Sequence, residues 1–302
     1  MKRFSVPALF IVAAMGAGCY KNPTIAIPPP PPSRLFVSQF NVGALNYFSQ
    51  PFSAASTPTT IAAIVHPIGI ATDSVGNLFV AVGNGFDMFA KPATSTTVPV
   101  NTPIAGAGEP YGALVAHNGN LFITDAAVNT LSVFSTPATA PTLVQTTAIP
   151  QFNRPEGMSQ DLGGDTFIAQ EGNGTVVVLA PGFGAAPVPI AVLTLPAGTA
   201  PVGLASDSHD NLYVADTNTG NIQVYTPPWA TAPRVPAFVI APPAGLHSVD
   251  FLTMDPSGNL YAAYESGGPA NVAIYAGPSF SGATTPSLLL PITDAVGVAF
   301  AP

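Results

Sequence analysis

Ionisable side chains are scarce in this chain, and several of them recur at fixed places beside a repeated motif. Asp and Glu contribute 15 of the 302 residues, and Lys and Arg contribute seven. The motif reads Asn-Leu-Phe or Asn-Leu-Tyr, followed by small residues. In most copies a glycine lies nine residues before the leucine, and another residue takes its place in the remaining copies. Three residues before that glycine the chain has His66, Glu109, Arg154, Ala200, Leu246 and Asp294. After the small residue of the motif it has Gln39, Val82, Asp125, Gln170, Asp216 and Tyr264.

Two kinds of chemistry would suit these side chains and their loop neighbours. The first is ligand binding without catalysis, by a set comprising His66, Glu109, Tyr111, Arg154, Glu156, His247 and Asp294. The second is metal binding by Asp125, Asp216, Glu171 and Glu265, because carboxylate oxygens suit Ca²⁺ and, together with histidine, Zn²⁺. A simpler interpretation is that turn aspartates accept hydrogen bonds from backbone N–H groups, and we favour it for Asp125 and Asp216. The chain is therefore expected to need no cofactor, with Ca²⁺ or Zn²⁺ as the alternative.

The sequence contains no motif of a common catalytic class. The nucleophile elbow G-x-S-x-G, the zinc-protease motif H-E-x-x-H and the phosphate-binding loop G-x-x-x-x-G-K are all absent. No catalytic residue is predicted. A further acidic set falls in turns, where we expect structural roles; it comprises Asp73, Asp161, Asp207 and Asp255.

The positions of these residues follow from an internal repeat of 43 to 48 residues. Its anchor residues are Leu35, Leu78, Leu121, Thr166, Leu212 and Leu260. A glycine lies nine residues before most anchors, and Val249 is taken as its equivalent in the copy that contains Leu260. Each copy supplies about four short strands of alternating polarity, the content of one β-propeller blade. The 35 prolines and 28 glycines oppose long helices.

The two ends of the repeat region each supply part of a blade. No inner strand precedes Leu35, because a run of prolines, Pro28 to Pro32, comes before it. An inner strand begins around Gly297, but the chain stops at Pro302. Joining the two ends completes a sixth blade and removes exposed sheet edges. The sequence therefore predicts an all-β, six-bladed propeller over residues 35–302, closed by pairing the C-terminal strand with the N-terminal strands.

The repeat resembles the NHL family of propellers. The most similar unit here is Pro201-Val202-Gly203-Leu204-Ala205-Ser206-Asp207, followed by Asp210-Asn211-Leu212-Tyr213-Val214-Ala215-Asp216. The resemblance implies that the loops entering the inner strands and those joining the second and third strands share one face, which would gather the candidate residues into a polar rim. It is informative about fold and not about function, because NHL-like propellers include binding modules, lyases and lactonases.

Composition and the N-terminus restrict partners and location. Formal net charge is −8 and charged residues make up 7% of the chain, so a nucleic-acid partner is not expected. Lys2 and Arg3 precede an apolar stretch, Phe4 to Met15, that is too short to span a bilayer. Residues 1–18 are thus predicted to be a signal peptide.

Cys19 is the single cysteine and resembles the lipidated cysteine of bacterial lipoproteins. Ordinary signal-peptide cleavage near Cys19 is the alternative. Residues 19–34 would form a Pro-rich linker from the anchor. We expect an exported, lipid-anchored protein, in an outer membrane if the host has one and otherwise secreted, which contacts the membrane only through its lipid.

Three functions follow in order of preference. The first is a non-catalytic envelope propeller that binds a protein, peptide or glycan on its polar rim. The second is a metal-dependent lyase or lactonase with a cation in the central channel, although the family lactonases' metal ligands, one Glu, two Asn and one Asp, cannot be placed here. The third is a structural envelope element.

Overall fold

A computed structural model describes residues 33–135, 141–182, 187–230, 232–269 and 271–301. The predicted signal peptide, Cys19 and nearly all of the linker lie outside this part of the chain. No helix among the described residues is long and apolar enough to cross a membrane.

The described chain forms six sheets, each built on four antiparallel strands. The inner strands are β4 (Ile70–Thr72), β8 (Pro110–Val115), β12 (Pro155–Gln160), β16 (Pro201–Ser206), β21 (His247–Met254) and β25 (Ala295–Ala301). The second strands are β1 (Arg34–Gln39), β5 (Leu78–Val82), β9 (Leu121–Asp125), β13 (Thr166–Gln170), β17 (Leu212–Asp216) and β22 (Leu260–Ser266). The third strands are β2 (Ala44–Ser49), β6 (Gly85–Phe89), β10 (Thr130–Ser135), β14 (Thr175–Leu179), β18 (Asn221–Tyr225) and β23 (Val272–Tyr275). The outer strands are β3 (Thr59–Ala63), β7 (Val100–Pro103), β11 (Thr142–Ala148), β15 (Pro189–Thr194), β20 (Phe238–Ile240) and β24 (Leu288–Leu290).

These sheets are the blades of a closed ring, which confirms the predicted six-bladed propeller. We number them 1 to 6 from the blade that contains β1, and the inner strands of successive blades contact one another around the full circle. Because each blade packs between two neighbours, its central strands are apolar on both faces. Strands β5, β9, β13 and β17 are buried throughout.

The ring closes as predicted, by pairing the end of the chain with its first described strand. Strand β25 runs antiparallel to β1, with Leu35 opposite Phe300 and Val37 opposite Val298. A hydroxyl group ties this seam to blade 2. Ser38 Oγ accepts the Gly297 N–H at 2.8 Å and donates to the Ile68 carbonyl at 2.6 Å.

One repeat departs from the predicted alignment. Phe251, and not Val249, occupies the glycine position of blade 6. The Cβ position of Gly203 lies against the Cα of Phe251, just as that of Gly157 lies against Gly203. The strand register agrees, because Leu252 pairs with Ala262 as Leu204 pairs with Val214. The position three residues earlier is therefore Ser248 and not Leu246.

Blade 4 gains a short fifth strand that the repeat does not predict. Strand β19 (Ala232–Pro233), which follows the third strand of blade 5, runs parallel to β15 of blade 4. Arg234 N–H donates to the Thr194 carbonyl at 2.7 Å. Trp229 packs edge-on against Phe167, with 5.0 Å between ring centroids. This segment joins two neighbouring blades at their outer edges.

The turns between inner and second strands define one face of the ring, which we call the turn face. Asp73, Asp207 and Asp255 each accept backbone N–H groups through Oδ1 and the side-chain amide of the asparagine four residues later through Oδ2. Asp161 Oδ1 accepts the Asp165 N–H. These contacts agree with the predicted structural roles.

Candidate functional site

The opposite face, which we call the charged face, carries the loops that enter the inner strands. Directly beneath it, an apolar layer closes the central channel. Tyr111 of blade 3 stacks on Phe251 of blade 6, with 5.9 Å between ring centroids, although these blades stand opposite each other in the ring. Ile68, Val202 and Val296 from three further blades belong to the same cluster. Side chains from five blades can meet in this way only on the axis.

A three-residue charge cluster lies on this layer. Arg154 Nη2 is 3.2 Å from Glu156 Oε1, and Arg154 Nε is 2.6 Å from Glu171 Oε2. The side chain of Glu156 is 1% exposed, whereas that of Arg154 is 47% exposed. Glu156 immediately precedes Gly157 in β12, and Glu171 opens a 3₁₀ turn (Glu171–Asn173) after β13. The fold of blade 4 therefore brings together three residues that the sequence places in two loops.

Burial favours the protonated form of the Glu156 side chain at neutral pH. Its removal from water raises its pKa to about 9, the negative charge of Glu171 adds to the shift, and Arg154 opposes it. Its second oxygen, Oε2, is buried and accepts no hydrogen bond from any described residue. A protonated carboxyl group can instead donate, and hydrogen bonding between Glu156 and the neighbouring Glu171 favours that protonated form.

A second buried carboxyl, Asp250, was not among the predicted site residues. It precedes Phe251 as Glu156 precedes Gly157, and it is 5% exposed. Its contact with Thr217 Oγ1 is long, at 3.4 Å. Burial, with the charges of Glu265, Asp294 and Glu171, raises its pKa well above the usual value. Counting nine residues back from Leu260 reaches Phe251, and Asp250 directly precedes it.

Some of the predicted rim residues therefore lie in the central channel, and others lie at the edge of its mouth. Tyr111 lies in the channel layer, where burial and the charges of Glu156 and Asp250 raise its pKa well above the usual value. Glu109 is half-buried nearby. His66 is exposed and stacks on Phe40 at 4.5 Å, and His247 is exposed at the start of β21.

Backbone geometry indicates a structural role for some residues at the edge of the channel mouth. His66, Arg154 and Asp294 have left-handed φ values of 49°, 53° and 54°, and Ser248 has 56° at the matching place. Asp294 also accepts the Asn41 N–H and the Val42 N–H through Oδ2, at 2.7 and 3.0 Å. It thereby fastens the β1–β2 loop to the entry of β25.

The four residues of the metal alternative do not converge. Asp125 accepts four backbone N–H groups, from Gly108, Glu109, Ala127 and Val128, at 2.8–3.1 Å. Asp216 accepts the Ala200 N–H and the hydroxyl of Thr219. Within the described ranges, no group of three or more His, Cys, Asp or Glu side chains is arranged to hold a metal ion.

Comparisons with known proteins agree with the fold. The family model for the NHL repeat matches residues 199–225, which span the first three strands of blade 5. This match and the six-bladed architecture confirm the predicted NHL-like propeller. No curated protein sequence is significantly similar to the chain.

Solved structures share the architecture at low sequence identity. A chain of a nidogen/laminin complex is 16% identical with a TM-score of 0.68, over 89% of this chain and 98% of that one. A Bacteroides caccae protein of unknown function is 11% identical with a TM-score of 0.68, over the same shares. Virginiamycin B lyase from Staphylococcus aureus, solved with quinupristin, is 14% identical with a TM-score of 0.51, over 71% of each chain. At these identities the likeness establishes the fold alone.

Proposed function

We propose that this protein is a non-catalytic binding propeller whose charged face takes a positively charged segment of a protein or peptide. The observation that carries the proposal is a surplus of carboxyl groups at one channel mouth. Six of the chain's 15 acidic residues lie there, namely Glu109, Glu156, Glu171, Asp250, Glu265 and Asp294. Among the described residues, every ion pair in this group uses Arg154.

The excess of carboxyl groups indicates that the ligand carries a positive charge. Arg154 pairs with Glu156 and Glu171, and Asp294 binds backbone N–H groups, which leaves Glu109, Asp250 and Glu265 without a cation within the described chain. A lysine or arginine side chain would supply that cation and bond to several carboxylate oxygens at once. Glycan binding, the other partner class predicted for the rim, would not use this charge. We propose no metal cofactor for the site.

Binding of a cation would also release protons. Glu156 and Asp250 have raised pKa values because they are buried without enough positive charge. A bound ammonium or guanidinium group stabilises the ionised carboxylates and lowers those pKa values. Affinity should therefore rise with pH between neutrality and about pH 9, the pKa of Glu156.

Removing the acidic groups of Glu265 or Asp250, which a bound cation would pair with, is expected to weaken binding of a lysine-rich peptide. Glu265→Gln and Asp250→Asn should each reduce affinity by about three- to tenfold, with a smaller effect at high salt because the attraction is screened. Fluorescence anisotropy with a labelled peptide at two salt concentrations measures this. Asp87→Asn, on the third strand of blade 2, is the matched control. Equal binding of a glutamate-rich peptide, or no loss in either variant, would contradict the proposal.

We further propose that the propeller is exported and held at the membrane by a lipid on Cys19. The short apolar segment before Cys19 and the Pro-rich residues after it support this location. Metabolic labelling with a fatty-acid analogue is expected to mark the wild-type protein and not Cys19→Ser. Unlabelled wild type whose mature N-terminus is not residue 19, by intact-mass measurement, would instead show ordinary signal-peptide cleavage.

A further inference from the structure

We propose that the turn face holds a second binding site, in which the central channel takes the end of a neutral sugar chain. This site lies on the far side of the Tyr111–Phe251 layer and is independent of the cation site on the charged face. The channel below the layer is a cavity of about 240 Å³ whose lining includes residues from all six inner strands. It continues into a wider mouth of about 440 Å³ between the turns.

The two compartments form one path of graded width. They share His117, Gln160, Ser206, Met254 and Phe300 in their linings. The inner compartment is smaller than the roughly 300–1,000 Å³ of sites for drug-sized ligands, so it admits one small unit. A following unit would occupy the mouth. This shape suits the terminus of a short chain more than a single extended ligand.

Apart from His117 and Gln160, which line both compartments, the polar side chains of the inner compartment are hydroxyls with bonding capacity left. Ser159 Oγ and Ser206 Oγ bond to each other at 2.9 Å, and Thr72 Oγ1 donates to the Phe300 carbonyl at 3.1 Å. Thr253 Oγ1 has no partner among the described residues. Since a hydroxyl has one donor and two acceptor lone pairs, these groups can still accept, and those of Thr253 and one serine can also donate. Sugar hydroxyls are donors and acceptors in the same way.

The surroundings disfavour charged ligands. The nearest carboxylates at the mouth, Asp161, Asp207 and Asp255, are engaged by N–H groups of their own turns. Their negative charge repels anions, hydrogen bonds within the turns already use oxygen atoms of each, and the inner compartment has no acidic residue in its lining. Met158, Met254 and Phe300 supply apolar surface, and Phe300 is held by stacking on Tyr261 at 5.6 Å. Apolar surface beside hydroxyl groups matches the C–H faces and O–H edges of a neutral sugar.

Saturation-transfer NMR with maltose, cellobiose, lactose and chitobiose tests the site on the mature protein. At least one disaccharide is expected to bind with a dissociation constant on the order of 1 mM. Thr253→Val, which removes a hydroxyl at nearly constant volume, should weaken binding about threefold to tenfold. Thr253→Phe should fill the compartment and abolish binding. Thermal unfolding of each variant checks that the fold is retained.

Two controls separate this site from the charged face and from the general surface. Ser95→Ala, an exposed hydroxyl outside the channel, and Glu265→Gln should both bind the disaccharide as wild type does. Weakening by Glu265→Gln with no effect of Thr253→Phe would move the sugar to the charged face and overturn the proposal. Absence of binding by all four disaccharides would also overturn it, and leaves the cation-binding result unaffected.

Discussion

A protein lacking residues 295–302 is expected to lose its cooperative fold. Val296 and Val298 are buried in the same apolar cluster that Tyr111 packs against, and each contributes about 1.5–3 kcal/mol by burial. The truncation also removes the hydrogen-bonded partner of β1 and exposes Leu35. Domains of ordinary stability have about 5–15 kcal/mol in total, so the combined loss is comparable to the whole. Near-ultraviolet circular dichroism and urea unfolding measure the outcome.

Rescue in trans makes this prediction specific to ring closure. A synthetic peptide of residues 295–302 should restore the fold of the truncated protein, because it can pair with β1 as β25 does. The same peptide carrying Val298→Asp should not, since the aspartate would enter an apolar cluster. A truncated protein that unfolds cooperatively at wild-type urea concentrations would show that the closing strand is dispensable.

The architecture was predictable because its signals repeat and because the ends complement each other. Leu35 lacked an inner strand, Gly297 began an unpaired one, and β25 indeed pairs with β1. The anchor residues fall in the second strands, whose burial on both faces requires a run of apolar residues. Every copy of the repeat has a second strand that must be apolar, so an irregular copy such as the one at Thr166 does not obscure the pattern.

The site was only partly predictable because its key positions break the repeat. A search for glycine passes over Phe251, and with it Asp250, because a phenylalanine takes the place of the glycine. The ring of Phe251 instead stacks on Tyr111 from the opposite blade. Glu156 was among the predicted residues, but its burial is a consequence of packing between blades, such as the contact of Thr124 in blade 3 with the Glu156 carbonyl. Strand β19 was missed because two residues in parallel pairing leave no periodic signal. Long-range packing, which the local pattern does not encode, determines these features.

Glu156→Gln is expected to stabilise the protein at neutral and alkaline pH. The pKa of Glu156 is about 9 in the folded protein, against an ordinary value of 4.5. Between those values the folded state holds a proton that the unfolded state has lost, so wild-type stability falls as pH rises, by at most about 1.4 kcal/mol per pH unit. The contribution is fully present below about pH 4.5 and is lost as pH passes through about 9. Glutamine can donate to Glu171 as the carboxylic acid does, and it carries no ionisation cost.

The gain in stability from Glu156→Gln should be large enough to distinguish Glu156 from the other carboxyl groups. At pH 7 we expect a gain of about 2–3 kcal/mol, or roughly 5 °C or more in Tm for a domain of this size, and a flatter stability profile from pH 5 to 9. Adding Asp250→Asn should flatten the profile further, since burial raises the pKa of Asp250 in the same direction. Ser95→Ala, which removes no ionisable group, should leave the wild-type slope. Wild-type stability that rises between pH 5 and 9, or a Glu156→Gln protein less stable than wild type at pH 8, would mean that Glu156 is ionised in the folded state and balanced by Arg154.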